Sequence, residues 1–174
     1  IKGELARSTG LDKLRPVSAI FPGVLGQTGI ETSEFITSIV NKLKPSCVII
    51  IDALASKQAK HLGCTIQISN TGITPGSGVG NSRPQINKDT LNVPVISIGV
   101  PTVVDASTLA YSLINEDKAP ENLNEIISTH GSDMMVTPRE IDLLIERASK
   151  LIGLSINCAL QKDFSAEDIY LLVC

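Results

Sequence analysis

With 174 residues, 43% of them hydrophobic and 19% charged, the chain has the make-up of one packed domain rather than of a disordered segment or of two domains. A net charge of −3 and an aromatic content of 3%, with no Trp, argue against a nucleic-acid partner, which needs basic surface and stacking platforms. The cysteines at 47, 64, 158 and 174 lack CxxC spacing and the histidines are His61 and His130 alone, so neither a zinc cluster nor a disulfide framework is expected. Reduced, buried thiols in a cytosolic protein are the expectation. No apolar run has the length of a membrane span. The start, Ile1-Lys2-Gly3-Glu4, is neither a signal peptide nor a methionine, and reads as part of a longer polypeptide.

In chain order, Val17–Ile20 reads as a short strand, followed by the glycine-bearing turn FPGVLGQTG. Thr28 and Glu31 have capping-box spacing, with Thr32 a rival cap, and Phe35, Ile36, Ile39, Val40 and Leu43 fall on one helical face before Pro45. Residues 47–51 (CVIII) form a continuous apolar run, the kind found in a strand buried on both faces of a parallel sheet. ALASKQAKHLG, after Asp52, reads as a short helix closed by Gly63, and CTIQIS alternates as a strand. A long loop over 70–92 precedes VPVISIGV, a further buried strand, and Pro101 suits the first turn of a helix carrying Val103, Ala106, Ala110 and Leu113. Residues 115–133 are weakly patterned and are expected to be an insertion within a single α/β domain. Thr137, Pro138 and Glu140 then carry an N-cap, a first-turn proline and a capping-box Glu for an amphipathic helix reaching about residue 160. A last helix starts near Ser165. The alternation of strand and helix predicts an α/β fold whose largely parallel sheet has helices on both faces.

Three groups of residues invite a functional reading. Asp52 follows a buried strand directly, where it serves either as the cap of the next helix or as a carboxylate at the strand ends where open α/β sheets bind ligands. Gly72, Gly76, Gly78 and Gly80 give the loop GITPGSGVGN backbone freedom and close approach to a ligand. Its residues leave open an α/β nucleotide- or phosphate-binding module, although no strand feeds straight into a helix there and no Walker lysine is present. Glu31 and Asp105 are the other carboxylates near strand ends, each accounted for by helix capping or by the helix dipole. Ser18, Ser56 and Ser77 lack the surroundings of a triad nucleophile.

The blocks RPVSAIFPGVLGQTGIETSEFI, VIIIDALAS, TIQISNTGITPGSGVGN and VPVISIGVPTVVDAS, with MMVTPREIDLLIE later, together resemble the spore germination proteases of endospore-forming bacteria. The resemblance covers nearly the whole chain. It implies an endopeptidase that begins the degradation of small acid-soluble spore proteins, made as a self-processing zymogen in the cytoplasm of the developing forespore, active in the spore core and assembled as a tetramer. It also implies a fold similar to that of the hydrogenase maturation proteases. In the family a pair of aspartates activates water. Asp52, in IDALA, matches one of the pair, and the other belongs to an upstream segment that this sequence does not contain. That N-terminal segment is therefore an expected partner, and the chain is expected to be inactive alone. Glu31, Asp105 and the glycine loop would border the cleft. A metal-free mechanism without a cofactor is expected, since no histidine stands at an obvious strand end.

Overall fold

The computed structural model describes residues 4–8, 10–114, 125 and 134–173. They gather into two compact units, one holding the chain up to Phe21 together with the chain from Asp142 onward, the other Pro22–Ile141. The strands are β1 (Val48–Ser56), β2 (Gln67–Ser69), β3 (Val95–Asp105) and β4 (Met135–Val136). The helices are α1 (Glu4–Ser8), α2 (Leu25–Thr28), α3 (Thr32–Leu43), α4 (Lys88–Leu91), α5 (Ala106–Leu113), α6 (Ile141–Leu160) and α7 (Ala166–Val173).

The fold is α/β, and its sheet is mixed rather than largely parallel. β1 and β3 pair in parallel from Val48↔Val95 to Asp52↔Gly99 and beyond, whereas β2 and β4 both run antiparallel to β3. The reason lies in the connection after β1. A parallel return needs a crossover of a dozen residues or more, usually a helix. Here only a 3-10 turn, Ala59–His61, stands between β1 and β2, so the chain turns back and β2 runs the other way.

One face of the sheet carries Val48, Ile50 and Val95 into a core completed by Ile36 and Val40 of α3, Leu91 of α4, and Ile73 and Ile86 of the long loop. Each such side chain contributes roughly 1.5–3 kcal/mol when fully buried. On the opposite face Ile51 and Ile68 remain 55% and 71% exposed. Helices on both faces are thus not what Ile51 and Ile68 meet among the described residues.

Several boundaries differ from expectation, each for a local reason. Residues 17–20 join no strand among the described residues, and Val17 and Ile20 are exposed. Ala53–Ser56 continue β1 instead of opening a helix, because β3 offers pairing partners as far as Val104. Pro101 lies inside β3, beside a register shift between Leu54 and Ala55, and bulges are where a sheet tolerates proline. Its carbonyl accepts from Gly63 N–H at 2.8 Å. The helix expected from Pro101 starts only at Ala106. α3 starts at Thr32 with Glu31 in the cap position, and the Glu31 side chain makes no capping bond. α6 starts at Ile141, after a turn in which Ile141 N–H donates to Pro138 O, so Thr137 and Glu140 form no capping box. α7 starts where expected, just after Ser165, whose hydroxyl oxygen accepts Asp168 N–H at 3.1 Å while its own hydroxyl and N–H donate to Asp168 Oδ2 at 2.7 and 3.0 Å. The expected insertion, 115–133, lies outside the described residues apart from Glu125. Cys47 and Cys64 are exposed free thiols rather than buried ones, and Cys158 is half-buried.

Candidate active site

Val48 N–H donates to Pro94 O at 2.9 Å, which sets the phase of the β1–β3 ladder. In a strand the N–H and C=O of one residue point the same way, so Val48, Ile50 and Asp52 turn their backbone groups toward β3. Ile49, Ile51 and Ala53 turn theirs to the other edge, where no strand pairs among the described residues. On that open edge Ala53 N–H donates to Asp52 Oδ1 at 2.9 Å. Asp52 is therefore a strand residue, and the reading of it as a helix cap is overturned. Its carboxyl is half-buried, and burial raises its pKa above the usual carboxylate range, with the Ala53 hydrogen bond drawing it partly back. Oδ2 has no hydrogen-bond partner among the described residues.

Asp52 opens onto a cleft of about 240 Å³ walled by Asp52–Ala55 of β1, by Thr74 and Gly76–Gly78 of the loop, and by Thr102 and Val103 of β3. The loop is held to this shape by its own backbone. Ile73 and Ile86 form a two-way bridge, Asn81 N–H donates to Gly76 O at 3.0 Å and Arg83 N–H to Pro75 O at 2.9 Å. Gly76 has φ 72°, and a Cβ there would overlap the Asn81 carbonyl oxygen. A Cβ on Gly78 would meet that of Ala55, so glycine is what lets the loop lie against β1.

Of the residues singled out in the sequence, the cleft brings together Asp52, Gly76 and Gly78. Gly72 supports the base of the loop, its carbonyl accepting from the Ser97 hydroxyl, and Gly80 closes the 3-10 turn Ser77–Val79. Glu31 is not in the cleft wall. Its carboxylate takes Arg83 Nη1 at 2.8 Å and so ties the loop to the start of α3. Asp105 is also elsewhere, capping α5 through Ser107 N–H and Thr108 N–H at 2.9 and 3.1 Å and accepting the Ser107 hydroxyl. Those bonds, the Ser107 hydroxyl first, hold its pKa below the usual range. Asp105→Ala is expected to cost about 1 kcal/mol of stability at neutral pH. With a lowered folded pKa, that contribution is present above the ordinary carboxylate range and is lost as pH falls through the folded value. Thermal melts at pH 7 and pH 2 that differ between variant and parent by the same amount would refute it.

Thr74 and Thr102 join the cleft without having been singled out in the sequence, and Ser77, set aside there as a triad nucleophile, lines it as well. For Thr102 a signal exists, because a proline within an apolar strand marks a bulge and the bulged residue follows it. Among the described residues no group of three or more His, Cys, Asp and Glu side chains is arranged to hold a metal ion. A second hollow, of about 430 Å³, lies in the other unit against Leu11, Phe164, Asp168 and Leu171. Asp168 there is committed to the Ser165 cap, whose hydroxyl lowers its pKa.

A half-buried carboxyl at a strand edge, with one oxygen unpartnered among the described residues and a glycine loop facing it, suits hydrolytic chemistry. The sequence model of the germination protease family matches residues 4–117. The chain belongs to that family. A germination protease of Clostridium perfringens strain SM101 is 48% identical, over 91% of this chain and 56% of the relative. One from Clostridium tetani is 44% identical over 90% and 56%, and one from a Geobacillus species is 38% identical over 88% and 56%. The chain thus spans little more than half the length of these relatives. Among its described residues no helix is long and apolar enough to cross a membrane.

Proposed function

We propose that this chain carries one half of the catalytic centre of an endopeptidase that initiates degradation of small acid-soluble spore proteins during germination, with Asp52 as one of two catalytic aspartates. The observation that carries the reading is the Asp52 carboxyl, half-buried at the mouth of a cleft beside an edge of β1, with one oxygen and that edge unpartnered among the described residues. Two close carboxyls share a proton, because repulsion disfavours the doubly ionised state. The ionised member takes a proton from water as the water oxygen bonds to the scissile carbonyl carbon. The protonated member then delivers its proton to the leaving amine as the C–N bond breaks. The pair titrates as a unit, so both roles belong to the pair rather than to Asp52 alone.

The second carboxylate is proposed to come from the part of the longer protein that this chain does not span, entering along the open β1 edge. The remaining features of the reading are a zymogen, a tetramer, a forespore and spore-core location, no required cofactor, and a fold akin to that of the hydrogenase maturation proteases. A phosphate-binding role for the loop is disfavoured, because the facing group is a carboxyl and, among the described residues, no Lys or Arg lines the cleft.

The test compares the full-length protein with this 174-residue stretch, using a small acid-soluble spore protein as substrate. The full-length protein should cleave it. The stretch alone should not, and with an unpaired apolar strand edge it should self-associate in sizing experiments. Robust cleavage by the stretch alone would refute the two-part centre.

A further inference from the structure

Thr102 occupies an unusual place in the sheet. Leu54 is opposite Pro101 and Ala55 is opposite Val103, so Thr102 is the extra residue of a bulge in β3. Bulges re-aim a side chain out of the regular alternation, and they are over-represented beside active sites. Thr102 is 7% exposed and forms part of the cleft wall shared with Asp52. Its hydroxyl makes no hydrogen bond with any described residue. No fully sealed side-chain polar atom among the described residues lacks a partner, so this hydroxyl keeps an opening, and the cleft is the space beside it.

What the cleft needs from such a group follows from its chemistry. Attack on a peptide carbonyl builds negative charge on the carbonyl oxygen, and that charge needs fixed donors. Among the described residues no Lys, Arg or His lines the cleft, and the side-chain donors there are the hydroxyls of Thr74, Ser77 and Thr102. Ser77 is exposed and Thr74 lies on the loop, whereas Thr102 is buried within β3, between Pro101 and Val103, which both pair with β1. A donor that does not have to reorganise is the effective one.

We infer that Thr102 is a substrate-contacting catalytic residue whose hydroxyl donates to the scissile carbonyl oxygen as it becomes an oxyanion. The inference rests on the peptidase reading of the Asp52 cleft. The water oxygen bonds to the carbonyl carbon, the carbonyl electron pair moves onto oxygen, and the water proton goes to the carboxylate. Thr102 keeps its own proton throughout.

The experiment measures kcat, KM and melting temperature for Thr102→Val and Thr102→Ser in the full-length protein, on a small acid-soluble spore protein. Valine keeps the volume and branching and removes only an unbonded hydroxyl, so the melting temperature should be unchanged or slightly raised. kcat should fall roughly 10²–10³-fold with KM altered only slightly, the pattern of a lost oxyanion donor. Serine should restore kcat to within roughly tenfold of the parent, as it keeps the donor. The inference is overturned by three results: a Thr102→Val kcat near that of the parent, a serine variant as impaired as the valine one, or a valine variant that fails to fold, which would reveal a structural partner. Asp52→Asn in the same assay separates the two levels. If it stays active, the peptidase reading itself fails. If it is inactive while Thr102→Val is fully active, only the role of Thr102 is lost.

Discussion

Asp52→Asn in the full-length protein is expected to lower peptide cleavage by roughly 10²–10⁴-fold, the usual worth of a positioned acid–base group. The fold should survive, because the amide oxygen of asparagine can still accept the Ala53 N–H now held by Oδ1. Stability should shift in a diagnostic direction. Burial raises the Asp52 pKa, so the folded protein holds this proton more tightly than the unfolded chain does. The parent therefore loses stability as pH rises from the ordinary carboxylate range through the raised folded value, and the asparagine variant does not. Melting temperatures should coincide at low pH and favour the variant at neutral pH. An Asp52→Asn protein with near-normal turnover would remove Asp52 from the mechanism.

Gly76→Val is expected to reduce cleavage by roughly a hundredfold, the scale of an ångström-sized misplacement near the reacting groups. Gly76 has φ 72°, which a β-branched residue tolerates poorly, and the new Cβ would overlap the Asn81 carbonyl oxygen. The strain costs about 1–3 kcal/mol. The core formed by Val40, Ile50, Ile86, Leu91 and Val95 is built from other residues, so the protein should fold with a displaced loop. The checks are cleavage kinetics beside a far-UV spectrum and a melt. Unchanged kinetics would mean that the loop takes no part in binding substrate.

The strands of this fold were legible where the chain repeats a simple period. The apolar run at Val48–Ile51 and the run from Val95 both lie in the parallel pair of β1 and β3. What local pattern concealed was where they stop. ALAS after Asp52 has good helical propensity, yet pairing with β3 extends β1 to Ser56, and tertiary partners override propensity. The same override carried β3 through Pro101 and delayed α5, which hid both the bulge and Thr102. Strand direction was beyond reach, because an alternating segment such as that around β2 looks the same whichever way it runs. In the cleft, Asp52, Gly76 and Gly78 were legible by residue type. Glu31 was mistaken for a cap because its real partner, Arg83, is 52 positions away, and no local spacing rule spans that distance.

The way the glycine loop is pinned bears on the entropy of substrate binding. Its base is bridged at Ile73 and Ile86, its neck is tied at Gly76–Asn81 and Pro75–Arg83, and Arg83 anchors it to Glu31. Ordering a loop residue costs roughly 1–2 kcal/mol of backbone freedom. Here that cost falls on folding rather than on each encounter with substrate. More of the contact energy with an extended polypeptide is then left to distinguish one bond from the next.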